Sequence, residues 1–269
     1  MKIKDQLISI LINNYNNEKF IKRSIKSCLD QTYKNIEIIV YDDNSNDNSC
    51  KIINEFQDKR IKRVFNKKKF SRFPAINQLN AIFHSFKISK GNLIFLLDGD
   101  DFYKKDKIKR IKKIYDKNSD IDCIQDNPIF FYPQKNKYIK NKLKKKFFIF
   151  HTWPYFNPTS TMSFRKNIFK TIIKEIFFSR KKYGKMFFDA RAIIYLYFFK
   201  KKPFLLDKYL TVYTQNEYGD TLVNYDSKNM YWWQRREEYH EFVKKIFIKN
   251  KKKHIKLFDY FLTKIINFL

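Results

Sequence analysis

The sequence predicts an α/β protein with a mostly parallel central sheet and helices on both faces. Three observations carry that expectation. Short apolar runs alternate with helix-period patterns through the first hundred residues, the signature of repeated βαβ units. Those runs are continuously apolar rather than alternating, as strands buried on both faces are. The chain has 269 residues, 43% of them hydrophobic, with only 4 Gly and 6 Pro. That is enough for a sizeable core in one large domain or two small ones, and it excludes collagen-like, linker-like and disordered chains.

Taken in order, Leu7–Ile12 (LISILI) reads as a buried strand, and Glu18–Leu29 as a helix with Phe20, Ile21, Ile25, Cys28 and Leu29 on one face. Ile36–Tyr41 is a second strand. A helix follows over Asn46–Phe56, with Asp47 or Ser45 as its cap. Ile61–Phe65 is a third strand, Ala75–Ile88 a third helix closed off by Gly91, and Leu93–Leu97 a fourth strand. Beyond it the pattern is less regular. Lys104–Lys117 reads as a helix, Ile121–Gln125 and Ile129–Tyr132 as two strands, and Lys135–Lys146 as an exposed basic loop. Thr159–Phe164 is a further strand, Asp189–Phe199 a helix, and Phe204–Leu206 and Tyr209–Tyr213 two short strands. From about Tyr225 the chain reads as helical, with a break near Asn250.

The charge first points to a polyanion partner: 57 Lys+Arg against 27 Asp+Glu, or +30. Only 10 of those cations are Arg, however, and the abundance of Lys, Ile, Phe, Asn and Tyr follows A/T-rich codons. Residues 1–101 carry a balance of only +6, so +24 lies beyond them. The three cysteines, Cys28, Cys50 and Cys123, are widely spaced and fit a reducing cytoplasm better than a disulfide scaffold. The amino-terminal apolar run is too short for a signal peptide, and no run of 18 apolar residues occurs. A soluble or peripheral protein is expected.

Ligands of an open parallel sheet bind at the carboxyl ends of its strands. Here those ends are acidic: Asp42-Asp43 after the second strand, and Asp98-Gly99-Asp100-Asp101 after the fourth. Asp98 and Asp100 lie two residues apart at a strand exit, with Gly99 permitting a tight turn. Carboxylates so placed repel one another, and a hard divalent cation relieves that repulsion. The duller alternative is helix capping, by Asp101 for the helix from Lys104.

ISILINNYNNEKFIKRSIKSCLDQTYKNIEIIVYDDNSNDNS followed by NQLNAIFHSFKISKGNLIFLLDGDD resembles the inverting glycosyltransferases of family 2, which have a GT-A fold. The likeness covers residues 7–101 as an ordered set of four elements. They are a strand ending in Tyr-Asn, a helix running into S-x-L-x-Q-x-Y, a strand ending V-D-D-x-S and a strand ending L-D-x-D-D. The resemblance implies that Asp43, with Asp42, holds the base and ribose of a nucleotide-sugar, that Tyr15 packs on the base, and that Asp98 faces the ribose and metal region. Asp100 would be the main ligand of a divalent cation, Mn²⁺ or Mg²⁺, with Asp98 beside it. UDP is the nucleotide implied. The family's Arg before the Asn of the third helix is missing, since Ile76 precedes Asn77, which leaves Arg72 or Lys67–Lys69 to face phosphate.

An inverting transfer needs a base for the acceptor hydroxyl. The resemblance places it at Asp189, in Met186-Phe187-Phe188-Asp189-Ala190-Arg191, where Phe188 stands in place of the family's usual preceding acid. A plain helix cap is the alternative. The stretch from Trp153 to Ser160 is rich in aromatic and hydroxyl groups, and Trp153, Tyr155 and Thr159 are acceptor-site candidates, against simple core packing. His151 reads as structural. Thr214 and Gln215 stand where the family often has Arg-x-His, and the Gln-x-x-Arg-Trp signature of processive synthases is absent; Tyr231–Arg236 has similar letters in another order. A single transfer per binding event is expected.

Three segments follow from this: 1–101 binding the donor, 102–215 binding the acceptor and carrying the base within the same domain, and 216–269 as a basic helical extension. In 244–269 a lysine cluster accompanies the stripe Ile255, Phe258, Leu262, Ile265 and Leu269, a pattern for an anionic membrane surface or for a helix packed on the domain with solvated lysines. The expected function is transfer of a sugar to a glycan or lipid-linked glycan in cell-surface polysaccharide biosynthesis. A nucleotide-sugar binder without transfer is the rival. A nucleic-acid module is the distant one, disfavoured by the acidic strand ends.

Overall fold

A computed structural model describes residues 6–142, 156–215, 229–253 and 258–268. Its elements run β1 (Ile8–Asn14), α1 (Ile21–Leu29), β2 (Ile36–Asp42), α2 (Ser49–Glu55), β3 (Ile61–Phe65), α3 (Pro74–Ile88), β4 (Leu93–Asp98), β5 (Phe102–Tyr103) and α4 (Lys107–Lys117). Then come β6 (Cys123–Tyr132), β7 (Lys137–Lys140), β8 (Met162–Arg165), α5 (Lys166–Ile176), α6 (Phe188–Phe199), β9 (Phe204–Thr214), α7 (Met230–Lys249) and α8 (Phe258–Phe268).

The strands form one sheet in the order β3-β2-β1-β4-β8-β6-β9-β5, with β7 added to the far half of β6. The first four are parallel neighbours, as the βαβ pattern requires. β8 enters antiparallel between β4 and β6, and β9 runs parallel to β6. Side chains alternate across the sheet, so β1 sends Ile8, Ile10 and Ile12 to one face and Leu11 to the other. The first face packs on α1, α2 and α4 through Ile25, Ile53, Ile108 and Ile111. The second packs on α3, α5, α6 and α7 through Leu79, Phe169, Ile193 and Phe242.

Several expectations shift. The two strands expected over 121–132 are one, β6, bent where its register with β9 slips around Asp126–Pro128. Pro128 has no N–H to donate there, which suits an irregularity. Likewise β9 is continuous. The basic stretch after Lys135 forms β7, whose residues are all exposed. Backbone pairing with β6 makes that strand, so its composition gave no sign of it. The expected strand from Thr159 begins at Met162, after a 3₁₀ turn over Thr159–Thr161. Helix α5 was not anticipated, although Ile168, Phe169, Ile172, Ile173 and Ile176 bury one face. The three cysteines are unbridged.

Candidate active site

The register of the parallel strands assembles the site's floor. Asn14 lies opposite Asp42 on β2, and Asn13 opposite Asp98 on β4. Asp42 is buried, and both carboxylate oxygens are engaged inside the protein. Oδ2 accepts from Asn14 Nδ2 (2.7 Å) and Ser45 Oγ (2.7 Å), and Oδ1 from the Ser45 backbone N–H (2.9 Å). It shapes the turn after β2, where Asn44 takes a left-handed conformation that Asn tolerates. Asp43 differs. Its Oδ1 accepts from Asn66 Nδ2 (2.8 Å), and burial raises its pKa while Asn66 and nearby Lys69 lower it. Lys69 also sits 3.2 Å from the ring centroid of half-exposed Tyr15. Tyr15, Asp43 and Lys69 therefore line one side of the strand ends.

Asp98 closes β4. Its Oδ1 accepts from Gln78 Nε2 (3.0 Å) and its backbone N–H donates to Ser160 Oγ (2.9 Å). Gln78 in turn accepts, through Oε1, the backbone N–H of Phe188 at the start of α6 (3.1 Å). Gln78 thus ties the acidic strand end to the first turn of the helix carrying Asp189. Among the described residues no glycine has a positive φ, so Gly99 is not there for a left-handed turn. Its need is space: a Cβ would stand 2.5 Å from Asn14 Oδ1.

The loop after Gly99 is held from behind. Arg23 Nη2 donates to the Asp100 carbonyl (2.9 Å) and to Thr214 Oγ1 (3.0 Å), with its guanidinium 4.2 Å from the Phe102 ring centroid. Thr214 Oγ1 donates to the same carbonyl (2.6 Å). Asp101 does not cap α4, whose N-cap is Asp106; it is fully buried and its Oδ1 accepts the Thr214 backbone N–H (2.7 Å). Burial, then repulsion from Asp98, pushes the Asp100 carboxyl up to about 7, with Arg23 opposing. Asp98 and Asp101 are raised as well, chiefly by burial.

Asp189 lies in the first turn of α6, one residue past the first helical position, and its Oδ1 accepts the Ala190 N–H (2.7 Å). It opens onto a cavity of about 410 Å³ shared with Asp98, Thr159, Gln78, Gln215 and Arg235 and walled by Phe130, Tyr132, Phe156, Phe187 and Tyr213. Burial pushes Asp189 up to about 6; Arg235 pulls it down and Asp98 pushes it up. Of the acceptor candidates, Thr159 lines this cavity; Trp153 and Tyr155, like His151, lie outside the described residues.

Behind the cavity, Lys107 and Asp126 form a fully buried ion pair (2.8 Å). Lys107 Nζ also donates to the Ser160 carbonyl (2.9 Å) and Thr211 Oγ1 (2.6 Å), fixing the residue whose hydroxyl holds Asp98. Sequence reading missed Gln78, Arg23, Lys107 and Arg235. Only Arg235 had a visible signal, the aromatic-basic cluster around it; the others matter through long-range contacts that no local pattern encodes.

The residues fit a divalent cation. Among the described residues no three His, Cys, Asp or Glu side chains converge on one point. Asp98 and Asp100 are instead a mutually repelling oxygen pair at an open strand end, and one or two carboxylates completed by substrate phosphates is an ordinary ligand set for such ions.

A mostly parallel sheet with acidic strand ends, one of which, Asp98, shares a cavity with the Asp189 carboxylate, is the arrangement of a GT-A glycosyltransferase-type protein. The sequence model of glycosyl transferase family 2 matches residues 9–183, more than half of the chain, and the chain belongs to that family. It is 36% identical over 149 residues to the Escherichia coli UDP-Glc:alpha-D-GlcNAc-diphosphoundecaprenol beta-1,3-glucosyltransferase WfgD, covering 51% of this chain and 56% of that protein. It is 41% identical over 103 residues to WfaP of the same description and organism, covering 38% and 39%. The chain spans between 32% and 56% of the length of the first four curated relatives it matches. Among solved structures, S. aureus TarS with UDP-GlcNAc superposes with a TM-score of 0.62 at 17% identity, covering 97% of this chain and 70% of that one. The mannosyltransferase PcManGT from Pyrobaculum calidifontis, with GDP-Man and Mn²⁺, gives 0.56 at 11%, covering 98% and 69%. These likenesses establish the GT-A fold.

Proposed function

We propose that this protein transfers a sugar from a nucleoside-diphosphate donor to a hydroxyl of a glycan or lipid-linked glycan, with inversion at the anomeric carbon. The carrying observation is that Asp189 and Asp98 open onto one cavity, with Gln78 bonded both to Asp98 and to the first turn of the Asp189 helix.

Residues 1–101 hold the donor and 102–215 the acceptor. Tyr15 offers its ring to the base, and Asp43 its free carboxylate oxygen to the ribose; Asp42 supports the turn. Lys69 brings positive charge to this side, supplying the cation missing before Asn77. Asp100, with Asp98, would hold Mn²⁺ or Mg²⁺, and a bound cation supplies Lewis-acid neutralisation of the departing diphosphate. Asp189 takes the acceptor's hydroxyl proton as the new C–O bond forms, while the nucleoside diphosphate leaves with the electron pair of the old one. A carboxylate titrating at about 6 is ionised at neutral pH yet more basic than an ordinary one. The aromatic wall of the cavity suits a sugar ring.

The E. coli relatives named above act, by their names, with UDP-Glc on a GlcNAc-diphospholipid. They support a UDP-sugar and a lipid-linked acceptor; from such an acceptor we infer a role in cell-surface polysaccharide synthesis, with the enzyme peripheral at the cytoplasmic membrane face. No helix among the described residues is long and apolar enough to cross a membrane.

The test is a panel of nucleotide-sugars assayed with Mn²⁺ for binding and for hydrolysis or transfer. The expected result is Mn²⁺-dependent binding of a UDP-sugar with turnover. Binding without turnover on any acceptor would establish the non-transferring alternative, and silence across the panel would overturn the reading.

A further inference from the structure

Helix α8 is packed the wrong way round for a protein surrounded only by water. Its outer arc consists of Phe258, Phe261, Leu262, Ile265 and Phe268, at 65%, 52%, 37%, 59% and 93% exposure. These positions recur every three or four residues and form one face. The inner arc is polar: Asp259 and Thr263 are 5% and 1% exposed. That arc docks on α7 through polar contacts. Arg236 Nη2 donates to Asp259 Oδ2 (3.1 Å), Thr263 Oγ1 lies 3.5 Å from His240 Nε2, and Lys264 pairs with Glu237. Asn267 Nδ2 donates to the Trp233 carbonyl (3.1 Å). The helix is therefore held in place by its polar side, and the apolar side is held outward.

We infer that the outer face of α8 seats this protein on an anionic bilayer surface, with the helix lying in the headgroup region. Charge decides the occupant. Asp259 is the single acidic residue from 244 to 269, and it is buried. Lys245, Lys251 and Lys253 are exposed, as is Ile248, in the segment that leads into α8. An exposed apolar face carried by a lysine-rich segment complements anionic headgroups over acyl chains. A second copy of a chain carrying +30 would bring like charge against like charge. The surface also connects to the site: α7 holds α8 through Arg236, Glu237 and His240 and presents Arg235 to the catalytic cavity. For its purpose the inference rests on the lipid-linked acceptor proposed above; its geometry does not.

The experiment is co-sedimentation of the full chain with vesicles of phosphatidylcholine alone and of phosphatidylcholine mixed with phosphatidylglycerol. Binding to the mixed vesicles and not to the neutral ones is expected, falling with added salt. Phe261→Asn/Ile265→Asn should weaken it about tenfold or more, and Lys245→Gln/Lys251→Gln/Lys253→Gln by a comparable factor. Phe268→Asn, at the most exposed position, serves as a second variant should the double one misfold. All should keep Mn²⁺-dependent nucleotide-sugar binding and transfer to a water-soluble acceptor, which separates failure of this inference from failure of the functional reading. The inference is overturned by absence of vesicle binding, by equal binding to neutral vesicles, by indifference to the apolar substitutions, or by a dimer that those substitutions dissolve.

Discussion

At the residue scale, the proposed chemistry is divided between two aspartates with different surroundings. Asp189 is raised by burial and restrained by Arg235, so its ionised fraction, the form proposed as the base, is lost as pH falls through about 6. Transfer should therefore fall on the acid side with an apparent pKa near 6, and Arg235→Leu should move that limb to higher pH by removing the cation that favours the carboxylate. A limb at the ordinary carboxylate position, or no shift in the variant, would count against Asp189 as the base. Asp189→Asn should cost about 10²–10⁴-fold in turnover with donor binding kept, read by single-turnover transfer beside calorimetric titration with UDP. Asp100→Asn should instead abolish the Mn²⁺ dependence of UDP binding in the same titration. The two aspartates were legible as candidates because each sits in a recognisable local motif. The burial of Asp42's carboxylate in the β2 turn was not, since it depends on Asn14 from another strand.

At the scale of elements, residues 1–101 were easy to read and residues 102–215 were not. The strands of the βαβ region are buried on both faces, so burial alone writes them into the sequence. β7 is made by hydrogen bonding to β6, and β6 and β9 are joined across an irregularity, so hydrophobic period does not report them. The buried Lys107–Asp126 pair joins α4 to β6 and, through Thr211 and Ser160, to β9 and the loop under Asp98. Lys107→Met leaves Asp126 charged and buried. The expected cost is about 3–5 kcal/mol, measured by urea unfolding; a change below 1 kcal/mol would show that the pair is solvated in solution.

Over the whole molecule, residues 1–101 and 102–215 share one sheet, with β4 of the first segment hydrogen-bonded to β8 of the second. One core cluster runs from Leu11 through Phe164 to Ile246 on α7. Urea unfolding should then be a single transition, coincident by far-UV circular dichroism and by fluorescence of Trp232 and Trp233 on α7; separated midpoints would show that the halves or α7 fold apart. The charge that dominates the composition also has a place. It amounts to +6 over residues 1–101 and +24 beyond them, and the segment that carries the outward apolar face is rich in lysine. By itself the sequence determined the parallel α/β core, the acidic strand ends and the stripe of α8, because periodicity and short motifs are local properties. Only the tertiary structure decided that Gln78 meets Asp98 and that Arg235 faces Asp189, and that the stripe of α8 points outward. Those outcomes depend on which distant side chains satisfy buried polar groups, and no local pattern records that pairing.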